Sequence, residues 1–501
     1  MHWEANREGE RKLQETHATL LLAGLIVLAI ALRFWRLGEW NFQATEIFTL
    51  RDSVTPQFKN WRPLGYLLTY FLARPFLPLD EFGLRLFPAV FGVLAIPVFY
   101  FASRPLIGTR AALFGAFLLA VSPLHIMYSQ LARYWSLVFL FSAVYPYALY
   151  LGIRDHNRRA LALGIVTGAL AVLSHPVSIL LVGGPALVLL TRVRRQHLAQ
   201  LWSHKTLRWT ALLVVLIAVV TVVRFIPMLQ GWISAHDKNP GSSQFLLRAP
   251  VTPGLKQIFY LLAYVEGLTL PLVVIGVVGI YLLWHQRDRQ LAIFLTSLAG
   301  FPIIFLTLVS LRTPVSTYYL LPTAAVFFVG AGVFLDHLLK VNWTLRPRWV
   351  LTAAVVVIVV AAGVPTLVSD YRDGRRWDFR GVARWLDQRL VKGDVVYSDQ
   401  RGVLAHYLPN TPVHRLRDLP SLVQSMRELR ESGTGEALWI VSPAPSHAFR
   451  GGANLHDLNG WMFGNCRLRN VIGVGRVDVR QNYLQIYRCS VGTPGTEVTS
   501  P

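Results

Sequence analysis

Residues 81–137 read EFGLRLFPAVFGVLAIPVFYFASRPLIGTRAALFGAFLLAVSPLHIMYSQLARYWSL. Two apolar runs, 83–104 and 109–124, are separated by a short basic turn from Arg104 to Arg110 and followed by a loop dense in hydrogen-bonding groups. A membrane-crossing helix needs about 20 predominantly apolar residues. Arg and Lys in short loops hold those loops on the cytoplasmic side. The stretch therefore predicts two spanning helices joined by a cytoplasmic turn, with the polar loop on the opposite face.

The same alternation extends in both directions. Eleven candidate spans follow from it: 18–36, 83–104, 109–124, 134–153, 159–174, 176–192, 208–228, 257–284, 291–311, 317–338 and 348–368. Three of them (109–124, 159–174 and 176–192) are short, and the sidedness of their neighbours requires them. With a cytoplasmic N-terminus, the inside loops Arg104–Arg110, Arg154–Arg159, Arg192–Arg208, His285–Arg289 and Lys340–Arg348 are all basic. The outside segments 37–82, 125–133, 229–256 and 312–316 carry Glu39, Glu46, Asp52, Asp80, Glu81 and Asp237. An odd number of spans places everything after 368 outside as well.

The expected fold class is a polytopic α-helical membrane protein of about 11 spans with a small C-terminal α/β extracytoplasmic domain. Residues 1–17 form a cytoplasmic N-terminal segment, 18–368 the membrane domain with its long first outside loop 37–82, 369–490 the periplasmic domain and 491–501 a disordered tail. The first apolar run is expected to be a retained anchor, since the residues before it are mixed in charge and no small-residue cleavage site follows. The expected location is a bacterial inner membrane.

Composition agrees with this layout. Of 501 residues, 53% are hydrophobic and only 15% charged, against about 25% charged in a soluble domain. The net charge of +22 is spread over short inter-span loops and forms no continuous face for tracking phosphates, which argues against nucleic-acid binding.

After residue 368 the patterning changes. WDFRGVARWLDQRL (377–390) and SLVQSMRELRES (421–432) have helical periods, whereas DVVYS (394–398) and ALWIVSP (437–443) read as strands. Cys466 and Cys489 flank two β-like runs, RLRNVIGVGRV and QNYLQIYRC. They are either bridged across a strand pair in an oxidising periplasm or left as two buried thiols. No Cys-x-x-Cys, Gly-rich phosphate loop or nucleophile elbow is present.

Polar groups near span ends are the informative ones in such a chain. In the first loop, Glu46 sits among Phe42, Ile47 and Phe48. A carboxylate there is costly unless paired or used, so it is either a general base or an interfacial group that caps a helix or pairs with Arg51 or Lys59. The second loop gathers Ser122, His125, Tyr128, Ser129, Gln130, Arg133 and Tyr134. Arg133 suits bidentate phosphate recognition, the alternative being a tie between two loops. Arg224 and Arg312, at the ends of the seventh and ninth spans, either meet a carrier phosphate or snorkel to headgroups. His175 reads as a His-Pro break at a tight turn or as a group turned toward the site. Tyr318 and Tyr319 are interface-belt aromatics or donor contacts.

The opening stretch resembles the second-to-fourth-span region of bacterial GT-C-type glycosyltransferases, the group of the protein O-mannosyltransferases and the lipid A aminoarabinose transferases. The landmarks are Arg85, Pro88, Gly92 and Pro97, then Ser122-Pro123, His125, Tyr128-Ser129-Gln130, Ala132-Arg133 and Ser136. STYYLLPTAAVFF (316–328) resembles the family's late span entry. The resemblance implies a GT-C-like membrane domain and inverting transfer of a sugar from a polyprenyl-phosphate donor to a glycan, lipid or protein acceptor, among membrane lipids. It implies Glu46 as base, with Arg62, Arg133, Tyr134, His125, Gln130, Tyr128, Arg224, Arg312, Tyr318 and Tyr319 around the substrates.

Three departures fall close to that chemistry. Thr45 stands where the family's first loop has an Asp, and Leu131 where its second loop often has a Glu. The usual His-Pro-Pro-Leu-Tyr reads Trp61-Arg62-Pro63-Leu64-Gly65-Tyr66. A divalent ion wants several oxygen ligands, so no cofactor is expected and a bound metal is argued against. The same losses leave open a lipid-binding or lipid-translocating protein that keeps the fold without the reaction. A secondary transporter is disfavoured because no internal repeat divides the chain into matched halves.

Overall fold

The structure is a computed structural model that describes residues 2–58, 60, 62–192, 259–310, 315–341, 348–374, 377–416, 419–432, 437–443, 455–474 and 482–489. By contact the chain divides into two compact units. The first is Met1–Gly38, Asp52–Ser234 and Thr252–Tyr371; the second joins Glu39–Arg51 to Arg372–Pro501, with Ala235–Val251.

In chain order the helices begin α1 (His2–Phe34), α2 (Ala44–Asp52), α3 (Pro63–Leu68), α4 (Glu81–Ile107), α5 (Thr109–Ala120), α6 (Pro123–Ser129), α7 (Trp135–Ser142), α8 (Tyr145–Arg154), α9 (Arg158–Ser174) and α10 (Gly183–Arg192). They continue with α11 (Phe259–Leu268), α12 (Leu270–Leu282), α13 (Arg289–Ser310), α14 (Ala324–Lys340), α15 (Arg348–Asp373), α16 (Phe379–Asp387), α17 (Arg401–Tyr407), α18 (Leu419–Ser432) and α19 (Leu455–Asn465).

The first unit is all helical among the described residues. Six helices are long and apolar enough to cross a membrane: Glu15–Phe34, Glu81–Ile107, Trp135–Arg154, Arg289–Ser310, Thr317–Lys340 and Arg348–Arg372. Two bent pairs raise the number to as many as eight. The chain is thus a multi-pass membrane protein. The expected span 208–228 lies outside the described residues.

The bends have local causes. The expected single span 257–284 breaks at Thr269 and turns by 87°. Pro271 follows two residues later and has no N–H to continue the α-helical ladder, and Thr269 takes φ 75°, a strained value for a β-branched residue. Between α5 and α6 the chain turns by 60° at Val121–Ser122, immediately before Pro123.

At the centre of the unit, α14 packs between α12 and α5, and 83% of its spanning window is buried, against 17% for Arg348–Arg372. Glycine makes this approach possible. A Cβ on Gly279 would lie 1.8 Å from the Gly330 carbonyl oxygen, and one on Gly332 would lie 2.1 Å from that of Ala111. Lipid supplies no hydrophobic drive for helices to associate, so close backbone packing through small residues does that work.

The second unit is built on a five-stranded sheet, β1 (Val395–Ser398), β2 (Val413–Arg415), β3 (Leu438–Pro443), β4 (Cys466–Val474) and β5 (Asn482–Cys489), in the order β2-β1-β3-β5-β4. β1 runs parallel to β2 and β3, and β5 runs antiparallel to β3 and β4. One sheet face is covered by Phe379, Val382, Leu386 and Leu404, the other by Leu422, Met426 and Met462. Asp394 ties the parallel strands together: its buried carboxylate accepts from Ala437 N–H at 2.7 Å, Trp439 Nε1 at 2.9 Å and Val391 N–H at 3.1 Å. Cys466 and Cys489 are register partners in β4 and β5 and form a disulfide.

Asp399, immediately after β1, is different. Burial lifts its carboxyl from 3.8 to about 6, against the opposing hydrogen bond from Gln400 Nε2 at 3.3 Å. A folded-state value above the unfolded one means that the folded unit binds this proton more tightly. The stabilisation is complete below about pH 4 and is lost as pH rises through about 6. Asp399→Asn should therefore flatten the loss of stability between pH 4.5 and 7, read as resistance of the second unit to proteolysis in the full-length protein. An unchanged slope would remove this assignment.

Candidate functional site

Around residues 122–135 of the first unit, polar side chains form two linked groups. The first is a brace. Arg33, near the end of α1, is fully buried. Its guanidinium donates to the carbonyls of Ala120 at 3.0 Å and Leu119 at 3.3 Å, where α5 ends, and to His125 Nδ1 at 2.8 Å. A guanidinium only donates, so Nδ1 accepts and the neutral imidazole carries its proton on Nε2. Gln130 closes the other side by donating to the carbonyls of Arg33 at 3.2 Å and Trp35 at 3.0 Å. His125 and Gln130 thus bind α1, α5 and α6 to one another. Tyr128 is buried on α6.

The second group grows from the loop that this brace holds. Arg133 is buried, and its guanidinium donates to the hydroxyls of Tyr134 at 2.9 Å and Tyr66 at 3.3 Å. Arg62 enters from the segment before α3, its guanidinium 5.0 Å from the Tyr134 ring centre, while that of Arg133 is 4.9 Å away. Gly65 permits the approach, since a Cβ there would lie 2.7 Å from Tyr134 Cβ. In the departure from His-Pro-Pro-Leu-Tyr, this glycine is the part with a visible steric reason.

An aromatic wall backs the two arginines. Trp135 packs on Tyr318 at 4.5 Å and on His175 at 4.8 Å, and Tyr319 lies 5.6 Å from His175. The Val177 N–H donates to His175 Nδ1 at 3.1 Å, which caps the turn beginning at Pro176 and leaves the neutral ring's proton on Nε2. Burial pushes this imidazole well below its usual range, and the charges of Arg62 and Arg133 push in the same direction. His175 is both the His-Pro break expected from sequence and a member of the cluster.

Of the residues named from sequence, Arg62, Arg133, Tyr134, His175, Tyr318 and Tyr319 therefore come together, with Tyr66 and Trp135 added. Arg224 and Arg312 lie outside the described residues, as do Trp61 and Lys59. Arg33 was missed. Its sequence signal was a lone Arg inside the apolar run ALRFW, at 31–35.

Glu46 belongs to the second unit. It is the third residue of α2, fully buried, and its Oε2 accepts from the Gln43 N–H at 2.8 Å. This is the reciprocal half of a capping box, with the carboxylate at the positive end of the helix. Thr45 is exposed. Among the described residues, no three His, Cys, Asp or Glu side chains converge as metal ligands.

Residues 63–225 match the family of dolichyl-phosphate-mannose-protein mannosyltransferases. That stretch carries Tyr66, His125, Gln130, Arg133, Tyr134 and His175. No curated protein sequence matches the chain. Among solved structures, ArnT from Cupriavidus metallidurans in the apo state is similar at a TM-score of 0.55 and 17% identity, over 95% of this chain and 98% of that one. ArnT bound to undecaprenyl phosphate gives 0.53 and 17%, over 95% and 99%. The archaeal oligosaccharyltransferase AglB from Archaeoglobus fulgidus, in complex with an inhibitory peptide and a dolichol-phosphate, gives 0.55 and 14%, over 86% and 70%. The fold is that of the GT-C-type polyprenyl-phosphate-dependent glycosyltransferases, as the sequence resemblance implied.

Removing the buried cation should loosen the brace. Arg33→Met takes the guanidinium from the Ala120 carbonyl and His125 Nδ1, while the Leu119 carbonyl keeps the Ser122 N–H at 3.3 Å, at a cost of about 3 kcal/mol. A clear fall in the thermal midpoint of the detergent-solubilised protein is expected, and an unchanged midpoint would show that water replaces the guanidinium.

Proposed function

We propose that the chain is a membrane glycosyltransferase that moves a sugar from a polyprenyl-phosphate carrier to a glycan, lipid or protein acceptor on the outer face of a bacterial inner membrane. The proposed topology has eleven spans, a cytoplasmic N-terminus and an extracytoplasmic C-terminal domain, in keeping with the basic short loops and the Cys466–Cys489 disulfide. The observation that carries the reading is the convergence of Arg62 and Arg133 on one tyrosine ring, each about 5 Å from its centre. Bringing two guanidiniums together costs Coulomb energy that a bound phosphate returns. The ligand class is supported by the undecaprenyl phosphate and dolichol-phosphate held in the ArnT and AglB structures.

In the proposed reaction the acceptor hydroxyl gives its proton to Glu46 as its oxygen bonds to the anomeric carbon. The bond from that carbon to the carrier phosphate breaks with inversion, and Arg62 and Arg133 take up the charge developing on the leaving phosphate. Tyr134, Tyr318 and Tyr319 line the donor, and His125, Gln130 and Tyr128 hold the loop that presents Arg133. Arg224 and Arg312 complete the proposed carrier contacts. With Thr45 and Leu131 in place of carboxylates, the chemistry is proposed to be metal-independent.

One observation favours a second reading, a lipid-binding or lipid-translocating protein without transfer. Glu46 already serves as a helix cap through Gln43.

Two measurements separate the readings. Arg133→Ala should weaken binding of undecaprenyl phosphate to the full-length protein about tenfold or more, and unaltered affinity would displace the phosphate site from this cluster. Glu46→Gln should leave that affinity intact and lower sugar transfer about a hundredfold or more. The readout is the mass of surface lipids and glycans in cells whose gene is replaced by the variant. Undiminished product would leave only the binding reading.

A further inference from the structure

We infer that Tyr407, on α17 of the second unit, is a positioning residue for Glu46; this rests on the reading of Glu46 as the base. The Gln43 N–H fixes the carboxylate to the first turn of α2. Whatever holds residues 39–47 therefore aims Glu46. Part of that hold comes from α16, α17 and the turn before them.

Tyr407 supplies its most direct link. The Phe42 N–H, one residue before the helix cap, donates to the Tyr407 hydroxyl at 2.7 Å. The fully buried Phe42 ring meets His406 edge-on at 5.4 Å. Asn41 Nδ2 donates to the Trp377 carbonyl at 2.8 Å. On the far side of Glu46, Ile47 packs on the core that contains Phe379, Val382 and Val403, with its Cγ2 3.4 Å from where a Cβ on Gly402 would stand. Arg380 steadies Tyr407 itself: its guanidinium lies 5.7 Å from the ring centre and donates to the Glu39 carbonyl at 3.4 Å.

The chemistry gives this placement a consequence. A general base works only within hydrogen-bond reach of the proton it takes, and misplacement of about 1 Å can cost about a hundredfold in rate. The Tyr407 hydroxyl is the smallest group whose loss frees the backbone next to the cap while leaving the ring, its packing and Glu46 unchanged.

Tyr407→Phe in the full-length protein is the test. The initial rate of surface product should fall about five- to tenfold, an effect of the size expected for one lost hydrogen bond. Amide exchange in the peptide spanning Phe42 to Ile47 should rise, and affinity for undecaprenyl phosphate should stay unchanged. In a Glu46→Gln background, the residual rate should show no further fall. Ile440→Val, in the core on the other sheet face, controls for lost stability alone and should leave the rate unchanged. A full rate with Tyr407→Phe, while Glu46→Gln abolishes transfer, overturns the positioning role and spares the base. Equal losses from Tyr407→Phe and Ile440→Val, or an additive loss on Glu46→Gln, also overturn it. A full rate with Glu46→Gln removes the base, and the positioning role with it.

Discussion

A buried guanidinium must find acceptors, and Arg33 finds them where helices end. The last carbonyls of α5 have no partner within their own helix, so they and His125 Nδ1 give the cation three acceptors at 2.8–3.3 Å. A helix C-terminus also carries partial negative charge, which suits the ion beyond the hydrogen bonds themselves. The result is a fixed corner between α1, α5 and α6. From that corner the chain runs through Gln130 to Arg133, Tyr134 and Trp135, the residues around which Arg62, Tyr66, His175 and Tyr318 assemble. The basic cluster inherits its geometry from a different arginine that takes no part in it.

Packing sets the second constraint. α14 is nearly encased, and it lies within backbone contact of its neighbours because Gly276, Gly279, Gly330 and Gly332 lack side chains. Tyr318 and Tyr319 stand just ahead of this helix, in a turn that runs directly into it. Their place against Trp135 thus depends on glycine contacts further along the same span. Apolar helices alone would have left that register soft.

Much of this was legible in the sequence, for a physical reason. Lipid tolerates only long apolar helices, so 83–104, 291–311, 317–338 and 348–368 could be read directly as runs of apolar residues. The breaks were less visible, because a window average hides one proline: 257–284 reads as one apolar run, yet Pro271 ends the ladder. Arg133, Tyr318 and Tyr319 stood out as polar groups at span ends and Arg62 in the segment that departs from His-Pro-Pro-Leu-Tyr, and the structure joins them. Arg33 did not stand out, since two of its three acceptors are backbone carbonyls with no residue signature. The tie between Phe42 and Tyr407 was hidden for the same reason, as a backbone N–H carries no mark in the sequence. The short elements α17, β2 and α19 escaped periodicity because three to eleven residues show too few repeats.

The partners Phe42 and Tyr407 are separated by 365 residues. At about 5–20 residues per second, a ribosome needs about 20–70 s to make the chain between them. Through that interval the 39–51 segment exists without the helices that bury Phe42 and Ile47 and without the strands that complete their core. Its apolar side chains must wait for the last quarter of the protein to be synthesised. The second unit therefore cannot be completed until the end of translation, although its first segment is made near the start. A truncated chain would keep its membrane helices but never close the setting of Glu46.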